Sequence, residues 1–167
     1  MSRRASPQDW CAAGLALLRD EGIDAVTVDR LCSTLQKTKG SFYHHFRDRD
    51  AYLAALLARW EEDLTEAPIR AAGREPDPLR QSARLDSVVR GLDHELDRAV
   101  RAWALRDPPA RAAMRRVDQR RIDYIAELRY MAFVGAQHLG IFASPARTAR
   151  LGQALNGALA RRGEAKR

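Results

Sequence analysis

The residues best suited to bind or transform another molecule lie in one short stretch of this 167-residue chain, LQKTKGSFYHHF, from Leu35 to Phe46. It contains two lysines, two hydroxyl residues, a tyrosine and two adjacent histidines. Only Leu35, Phe42 and Phe46 are expected to enter a hydrophobic core. The other side chains then form a small basic and aromatic surface, which suits a polyanionic partner better than a protein interior.

Other kinds of chemistry find little support in the sequence. His94 and Glu95 do not form an HExxH zinc motif, because Arg98 stands where the second histidine is needed. Cys11 and Cys32 lie among apolar residues with no histidine at metal-ligand spacing, which predicts two core thiols in a reducing cytosol. There is no glycine-rich phosphate loop, nucleophile elbow or paired-carboxylate arrangement. We therefore expect no enzymatic activity, no metal site and no cofactor.

Composition and charge favour a helical protein. Alanine, leucine and arginine dominate, and hydrophobic residues make up 46% of the chain, enough for a substantial core. The net charge is +7, yet the first fifty residues carry only +1, so the local excess of bases between Lys37 and Arg49 is the better clue. No apolar run approaches the roughly 18 residues that would span a membrane. We expect a soluble, cytoplasmic, all-α protein.

The N-terminal part has the spacing of three short helices. Apolar residues at intervals of three and four predict helices at Pro7–Glu21, from Thr27 to Leu35, and from Lys39 to about Phe46. Ser6, Thr27 and Thr38 are the expected N-caps, and Gly22 is expected to end the first helix. The last two helices are joined by a very short turn, which is the pattern of a helix-turn-helix.

The remaining chain predicts a larger helical region. A fourth helix should run from Asp48 to Glu66, and the segment Ala67–Pro78, rich in proline and glycine, should be a linker. We then expect one long helix through Leu85 to Trp103 and further helical segments from the Pro108–Pro109 pair to Leu128, at Ala132–Phe142 and at Pro145–Ala160. This predicts two domains, a helix-turn-helix domain at residues 1–47 and a C-terminal helical bundle at residues 48–167.

The run from Leu15 to Leu57 resembles the DNA-binding domain of TetR-family transcriptional regulators. In that family, a helix ending in xxGxxxxTV precedes a short helix and a recognition helix that reads roughly GVSKGTLYxHFxSKxxL. This chain reads EGIDAVTVDRLCSTLQKTKGSFYHHFRDRDAYL. It departs from the family at Gln36, which replaces a glycine, and at Lys37, which replaces an apolar residue. Arg49 stands where the family usually has a lysine.

The resemblance implies a role for each residue of the motif. A recognition helix enters the major groove with its N-terminus first, so Lys39, Ser41 and His44 are the expected base readers, and Gly40 allows the backbone to approach closely. Side chains at the ends of the helices would hold the phosphates and so position the protein without reading sequence. These are Thr27, Thr38, Tyr43, His45 and Arg49. Lys37, one of the two departures from the family, would add positive charge beside the groove.

The resemblance also implies a regulatory bundle in the C-terminal part. The family pairs its last helices into a two-fold dimer, here expected through Ala132, Ala136, Leu139, Phe142, Leu151, Leu155 and Leu159. His94, Trp103, Met114 and Tyr124 are candidates for the wall of a ligand cavity. The function implied is a repressor that binds a near-palindromic DNA operator as a homodimer and is released by a small-molecule effector.

A second reading stays open from the sequence. The almost neutral first fifty residues, together with Gln36 and Lys37, are compatible with a ligand-binding or interaction module. Such a module would retain the helix-turn-helix shape with little sequence-specific DNA binding. The two readings differ in how far specific binding exceeds non-specific binding, which is roughly 10³-fold or more for a true regulator.

Overall fold

The protein is described here by a computed structural model that covers residues 5–139 and 144–160, with side chains described as far as residue 153. Within those ranges there is no β-strand, and the prediction of an all-α fold is confirmed. The helices are α1 (Pro7–Glu21), α2 (Val28–Leu35), α3 (Lys39–Tyr43), α4 (Arg49–Glu61), α5 (Ala67–Ala72), α6 (Pro78–Arg90), α7 (His94–Ala104), α8 (Pro108–His138) and α9 (Pro145–Ala160).

Side-chain caps define where the first four helices begin. The Oγ of Ser6 accepts the N–H of Asp9 at 3.2 Å, while the Asp9 carboxylate accepts the N–H of Ser6 at 2.8 Å, which is a complete capping box. Thr27 and Thr38 cap α2 and α3, and Asp48 caps α4. Each cap satisfies an N–H group that has no partner inside its helix. The three N-caps predicted from the sequence, Ser6, Thr27 and Thr38, are confirmed.

The core of the N-terminal region is aromatic. Phe42 is fully buried and meets Trp10, Phe46 and Tyr52 at ring-centroid distances of 5.4, 5.3 and 5.1 Å. The Tyr52 hydroxyl donates to the backbone carbonyl of Trp10 at 2.8 Å, so a buried hydrogen bond joins α4 to α1. Burial also raises the pKa of the Tyr52 phenol, which therefore stays protonated as a donor.

Two predictions for the segment after α4 are wrong in part. The fourth helix was expected to reach Glu66, but regular α-helix ends at Glu61 and a π-helical turn follows at Glu62–Glu66. The expected linker is half helical, because α5 occupies Ala67–Ala72 before the chain turns at Gly73. Pro68 lies in the first turn of α5, where its missing N–H costs nothing. A proline-rich composition therefore concealed a short helix.

The helix boundaries further along also need correction. The predicted single helix through Leu85 to Trp103 is two helices, because Gly91 ends α6 and Asp93 caps α7 by accepting the N–H of Leu96 at 3.0 Å. Conversely, the break expected after Leu128 does not occur, and α8 is continuous to His138. The residues between Leu128 and Ala132 are ordinary helix formers, so nothing there interrupts the backbone hydrogen bonds. Helix α3 ends at Tyr43, three residues before the predicted end.

The chain forms two compact units. The first contains the described residues up to Thr65 together with Asp93–Asp118, so it joins α1–α4 with α7 and the beginning of α8. Within it α7 packs on α1, and Arg101 binds the Asp118 carboxylate through two nitrogens at 2.6 and 3.0 Å. The second contains Glu66–Leu92 and the described residues from Gln119 onward, with α6 packed on both α5 and α9. The predicted functional boundary after residue 47 stays a prediction.

Among the described helices, none combines the length and the hydrophobicity that a membrane-spanning segment needs.

Candidate nucleic-acid interface

Helix α3 presents most of its polar residues to solvent because one side chain anchors it. Phe42 is fully buried against Trp10, whereas Tyr43, the next residue, is 53% exposed. The other exposed members of this surface are Thr38, Lys39, Gly40 and His44, and Ser41 is half-buried. Two of the predicted readers, Lys39 and Ser41, therefore lie on one short helix whose opposite side is fixed in the core, and the third, His44, directly follows it.

The two threonines at the helix N-termini serve as caps and still have a proton to offer. The Oγ1 of Thr27 accepts the N–H of Arg30 at 3.3 Å, and the Oγ1 of Thr38 accepts the N–H of Ser41 at 3.2 Å. Because a hydroxyl can donate while it accepts, each O–H can also bind an oxygen from outside the chain. Both residues are exposed, and both stand at the positive end of a helix dipole, where phosphate groups bind favourably.

Gly40 is not required by the chain's own packing. A Cβ added there would meet only the Thr38 Oγ1, at 3.7 Å, which is an ordinary contact. Its backbone also lies outside the positive-φ region. The missing side chain therefore leaves open space at the start of α3, and this space permits an external group to approach the backbone closely.

Lys39 has a partner that the sequence did not reveal. Its Nζ lies 2.7 Å from the Oδ1 of Asp29 on α2, and both side chains are well exposed. Hydrogen bonding and charge attraction from Asp29 raise the pKa of the Lys39 ammonium. The lysine is therefore charged but directed towards a carboxylate, which a bound polyanion must displace or accommodate. No local sequence pattern signals a pair that joins two different helices.

The aromatic residues at the end of α3 differ in orientation. Tyr43 meets Phe42 edge-on at 5.3 Å and leaves its ring largely exposed, and His44 is also exposed. His45 is half-buried instead, and its Nε2 lies 2.9 Å from the backbone carbonyl of Ala5. Since a carbonyl only accepts, this nitrogen carries the proton and ties the segment after α3 to Ala5, two residues before α1. His45 thus makes a contact within the chain, and its phosphate contact stays a prediction.

The remaining predicted anchors, Arg49 and Lys37, lie at element ends. Arg49 opens α4, is exposed, and has its Nη2 3.5 Å from the carbonyl of Val26, a long contact that leaves most of its donors open. Lys37 is half-buried and follows the turn between α2 and α3. Its N–H donates to the carbonyl of Cys32 at 2.9 Å, which closes the end of α2.

The turn of the helix-turn-helix places a non-glycine residue in the left-handed region. Gln36 has φ 53° and ψ 47°, and no other described residue except glycine has positive φ. This is the conformation for which a glycine would be favoured. Gln36, which replaces the glycine of the family motif, therefore has a strained backbone conformation, and the turn keeps its geometry.

The four candidate ligand residues are divided between the two units. His94 is exposed at the start of α7, Met114 is half-buried on α8, and Trp103 is 4% exposed and borders a cavity in the first unit. Tyr124 belongs to the second unit, where the guanidinium of Arg120 lies 5.9 Å from its ring centroid. Its hydroxyl is buried and has no hydrogen-bond partner among the described residues. Within the first unit, Trp103 lines this cavity, whereas His94 and Met114 are not among its lining residues. A ligand role for the four residues stays a prediction.

Metal and thiol chemistry can be assessed only where the chain is described. In that part, no group of three or more His, Cys, Asp or Glu side chains is arranged to hold a metal ion. Cys11 and Cys32 are buried free thiols, and burial raises the pKa of each above its ordinary value. Both are therefore thiols rather than nucleophilic thiolates, as expected of core residues.

Comparison with known proteins agrees with the geometry of this surface. Residues 11–56 match the family model described as bacterial regulatory proteins, tetR family. The matched range begins in α1 and ends in α4, so it contains α2, α3 and the strained turn between them. No curated protein and no solved structure gives a significant match to the chain.

Proposed function

We propose that this chain, a member of the TetR family of bacterial regulatory proteins through residues 11–56, is a ligand-released repressor that binds a near-palindromic operator as a cytoplasmic homodimer. The family match supports the coarser statement that it is a DNA-binding transcriptional regulator of the TetR type. The observation that carries the proposal is the polar surface around the anchored Phe42, which contains Lys39, Ser41 and His44 and the hydroxyl-bearing caps. A dimer held on an operator blocks transcription by occupancy alone, so repression needs no further surface.

DNA binding is proposed to divide its contacts between two groups. Lys39, Ser41 and His44 read base edges in the major groove, and Gly40 lets the helix backbone come close. Thr27, Thr38, Tyr43 and Arg49 hold the phosphates, because their donors surround α3 and remain available. Lys37 adds charge beside the groove. His45 contributes indirectly, by holding Ala5 against α3.

An uncovered face of α8 supports the homodimer. Four large side chains on this face are well exposed to solvent. Their exposed fractions are 60% for Ile122, 42% for Ile125, 67% for Tyr130 and 46% for Phe133. At about 3.6 residues per turn, these four lie on one side of the helix. A second copy of the chain that packs α8 against α8 through a two-fold axis would bury all four at once.

Three of the residues that the sequence predicts at the dimer contact are packed inside the chain. Ala132, Ala136 and Leu151 are buried within the chain, whereas Leu139 is exposed. Phe142 and the side chains of Leu155 and Leu159 lie outside the described part. We therefore place the proposed dimer contact on the Ile122–Phe133 face of α8. In the dimer, the two α3 helices enter successive major grooves about 34–36 Å apart.

DNA binding is best tested on the intergenic DNA that flanks the protein's own gene, by fluorescence anisotropy at two salt concentrations. A scrambled duplex is the sequence control, and Tyr43→Ala and Tyr43→Phe form a matched pair in which the second removes only the hydroxyl. We expect the flanking DNA to bind roughly 10³-fold more tightly than the scramble, with a weaker effect from Phe than from Ala. Equal, weak and salt-sensitive binding to both duplexes would instead favour the interaction module.

The dimer is tested separately by sedimentation of the free protein. Ile122→Glu places a charge in the middle of the proposed contact, and Met131→Glu is its control. Met131 is a similarly exposed apolar residue, at 52%, on the opposite side of α8. We expect Ile122→Glu to yield monomers and Met131→Glu to leave the dimer intact. Dissociation by both variants, or by neither, would contradict the assigned face.

A further inference from the structure

A cavity of about 330 Å³ lies within the first unit, between α4 and the corner where α7 leads into α8. Its apolar walls are side chains that are themselves almost fully buried, namely Leu53, Leu57, Trp103 and Ala113. A smaller cavity of about 230 Å³ shares Leu53, Trp103 and Asp107 with it, so the two are adjacent. An apolar space of this size with a few polar groups is typical of small-molecule sites.

The charges around the cavity are not balanced. Arg116 lines it, but its guanidinium already binds the carboxylate of Glu61 at 2.7 Å. Two acidic residues, Asp50 and Asp107, also line it, and neither has an ion-pair partner among the described residues. The Asp107 carboxylate accepts the N–H of Ala110, at 2.8 Å, as the cap of α8. The larger cavity therefore has the Trp103 indole in its wall and two carboxylates without a cationic partner among the described residues.

The charged residues of the smaller cavity do not cancel this excess of negative charge. Arg106 lies 3.4 Å from Asp24, so these two opposite charges face each other. Arg49 contributes one positive charge at the far side, where its nitrogen approaches the Val26 carbonyl. Across both cavities, the unpaired groups are two carboxylates and one guanidinium. The net field therefore favours a cation in the larger cavity.

We propose that this cavity binds a small amphipathic organic cation, with its apolar body against Leu53 and Trp103 and its positive group between Asp50 and Asp107. Trp103 contributes both apolar contact and the attraction of an aromatic face for a cation. The carboxylates neutralise the bound charge, which a hydrophobic wall alone cannot do.

The position of this site gives it a regulatory consequence, which rests on the proposed function. Asp50 and Leu53 belong to the α4 wall of the cavity, and Arg49, a proposed phosphate anchor, directly precedes Asp50 in the first turn of the same helix. A bound cation therefore contacts the unit that reads DNA and biases the orientation of its anchor. The proposed effector site lies within the first unit, which also contains the helix-turn-helix.

The test uses two probes of matched shape, 3-phenylpropylammonium and 3-phenylpropionate, without DNA. The chain has three tryptophans, all in the first unit, and their indole N–H resonances in ¹⁵N-labelled protein report both affinity and location. Trp103→Phe assigns the Trp103 resonance, while those of the fully buried Trp10 and Trp60 report whether the core is intact. We expect the cation to shift the Trp103 resonance saturably and to bind roughly five- to tenfold more tightly than the anion.

Charge removal then tests the carboxylates. Asp107→Asn keeps a good N-cap while it removes the charge, and Asp50→Asn makes the same change in the first turn of α4. Asp86→Asn, in the second unit, is the matched control. We expect the preference for the cation to fall in each single variant, to vanish in the double variant and to persist in the control.

Three results would overturn the proposal: equal affinity for cation and anion, movement of the Trp10 or Trp60 resonance instead of Trp103, or a preference that survives in the double variant. Because no DNA is present, failure of operator binding leaves these measurements unaffected. Loss of the cation preference with intact operator binding would reject this site while the DNA-binding function stands.

Discussion

Gly14 provides the clearest test of how the DNA-binding unit is held together. A Cβ at this position of α1 would lie 1.9 Å from the Tyr52 hydroxyl oxygen, 2.9 Å from its Cζ and 3.0 Å from a methyl carbon of Leu56. The same hydroxyl donates to the Trp10 carbonyl at 2.8 Å. Gly14→Ala therefore cannot be accommodated unless the buried tyrosine ring moves and its hydrogen bond breaks.

The cost can be worked out from these contacts. Overpacking of a tight core costs roughly 1–3 kcal/mol, and a buried hydroxyl that loses its partner, here that of Tyr52, costs about 1–3 kcal/mol. Alanine recovers about 1 kcal/mol, because it is the better helix former. We expect Gly14→Ala to lower the free energy of unfolding by about 1–5 kcal/mol. The loss should also weaken DNA binding, since α1 packs on α4 and Arg49 opens α4.

The assay is urea unfolding followed by far-ultraviolet circular dichroism, with two comparison variants. Gly135→Ala is the matched control on α8, where a new Cβ meets nothing within 4 Å, so it should be neutral or stabilising by up to about 1 kcal/mol. Tyr52→Phe removes the oxygen that clashes, so Gly14→Ala should cost about 1 kcal/mol less in that background than in the wild type. A Gly14→Ala cost below about 0.5 kcal/mol, or the absence of any such coupling, would refute the reasoning.

Three other perturbations test the reading surface. Gln36→Gly should raise the free energy of unfolding by about 1 kcal/mol, since it relieves a left-handed residue without removing a contact, and urea unfolding measures this. Asp29→Asn frees Lys39 from its ion pair and should therefore tighten DNA binding. In anisotropy titrations, the slope of log affinity against log salt concentration should steepen by up to about one unit. Unchanged affinity would show that the ion pair does not compete with DNA. Asp48 has a lowered pKa, chiefly from the backbone N–H that it caps, so its stabilisation is complete above about pH 4 and is lost as pH falls through the lower folded pKa. Asp48→Asn, which retains a cap, should flatten that acid limb of thermal stability.

Most of the helix-turn-helix could be predicted from the sequence because its determinants are local. A cap joins a side chain to an N–H three residues later, as at Thr27 and Thr38, and the positive φ of Gln36 follows from its place between two helices. The burial of Phe42 beside an exposed Tyr43 follows from helical periodicity alone. These features involve neighbours along the chain, so the residue types nearly determine them.

The tertiary structure decided what depends on residues that are distant in sequence. Asp29 pairs with Lys39 and His45 binds Ala5 because particular helices lie at particular distances and angles, which periodicity does not encode. The selection of Trp103, and not His94 or Met114, as a wall of the cavity in the first unit is another such feature. The cavity beside Trp103 exists because α7 and the start of α8 return to pack within the unit of α4, some fifty residues after α4 begins. The free energies of alternative local conformations differ by about 1 kcal/mol or less per residue, so packing between distant helices determines which conformation is adopted.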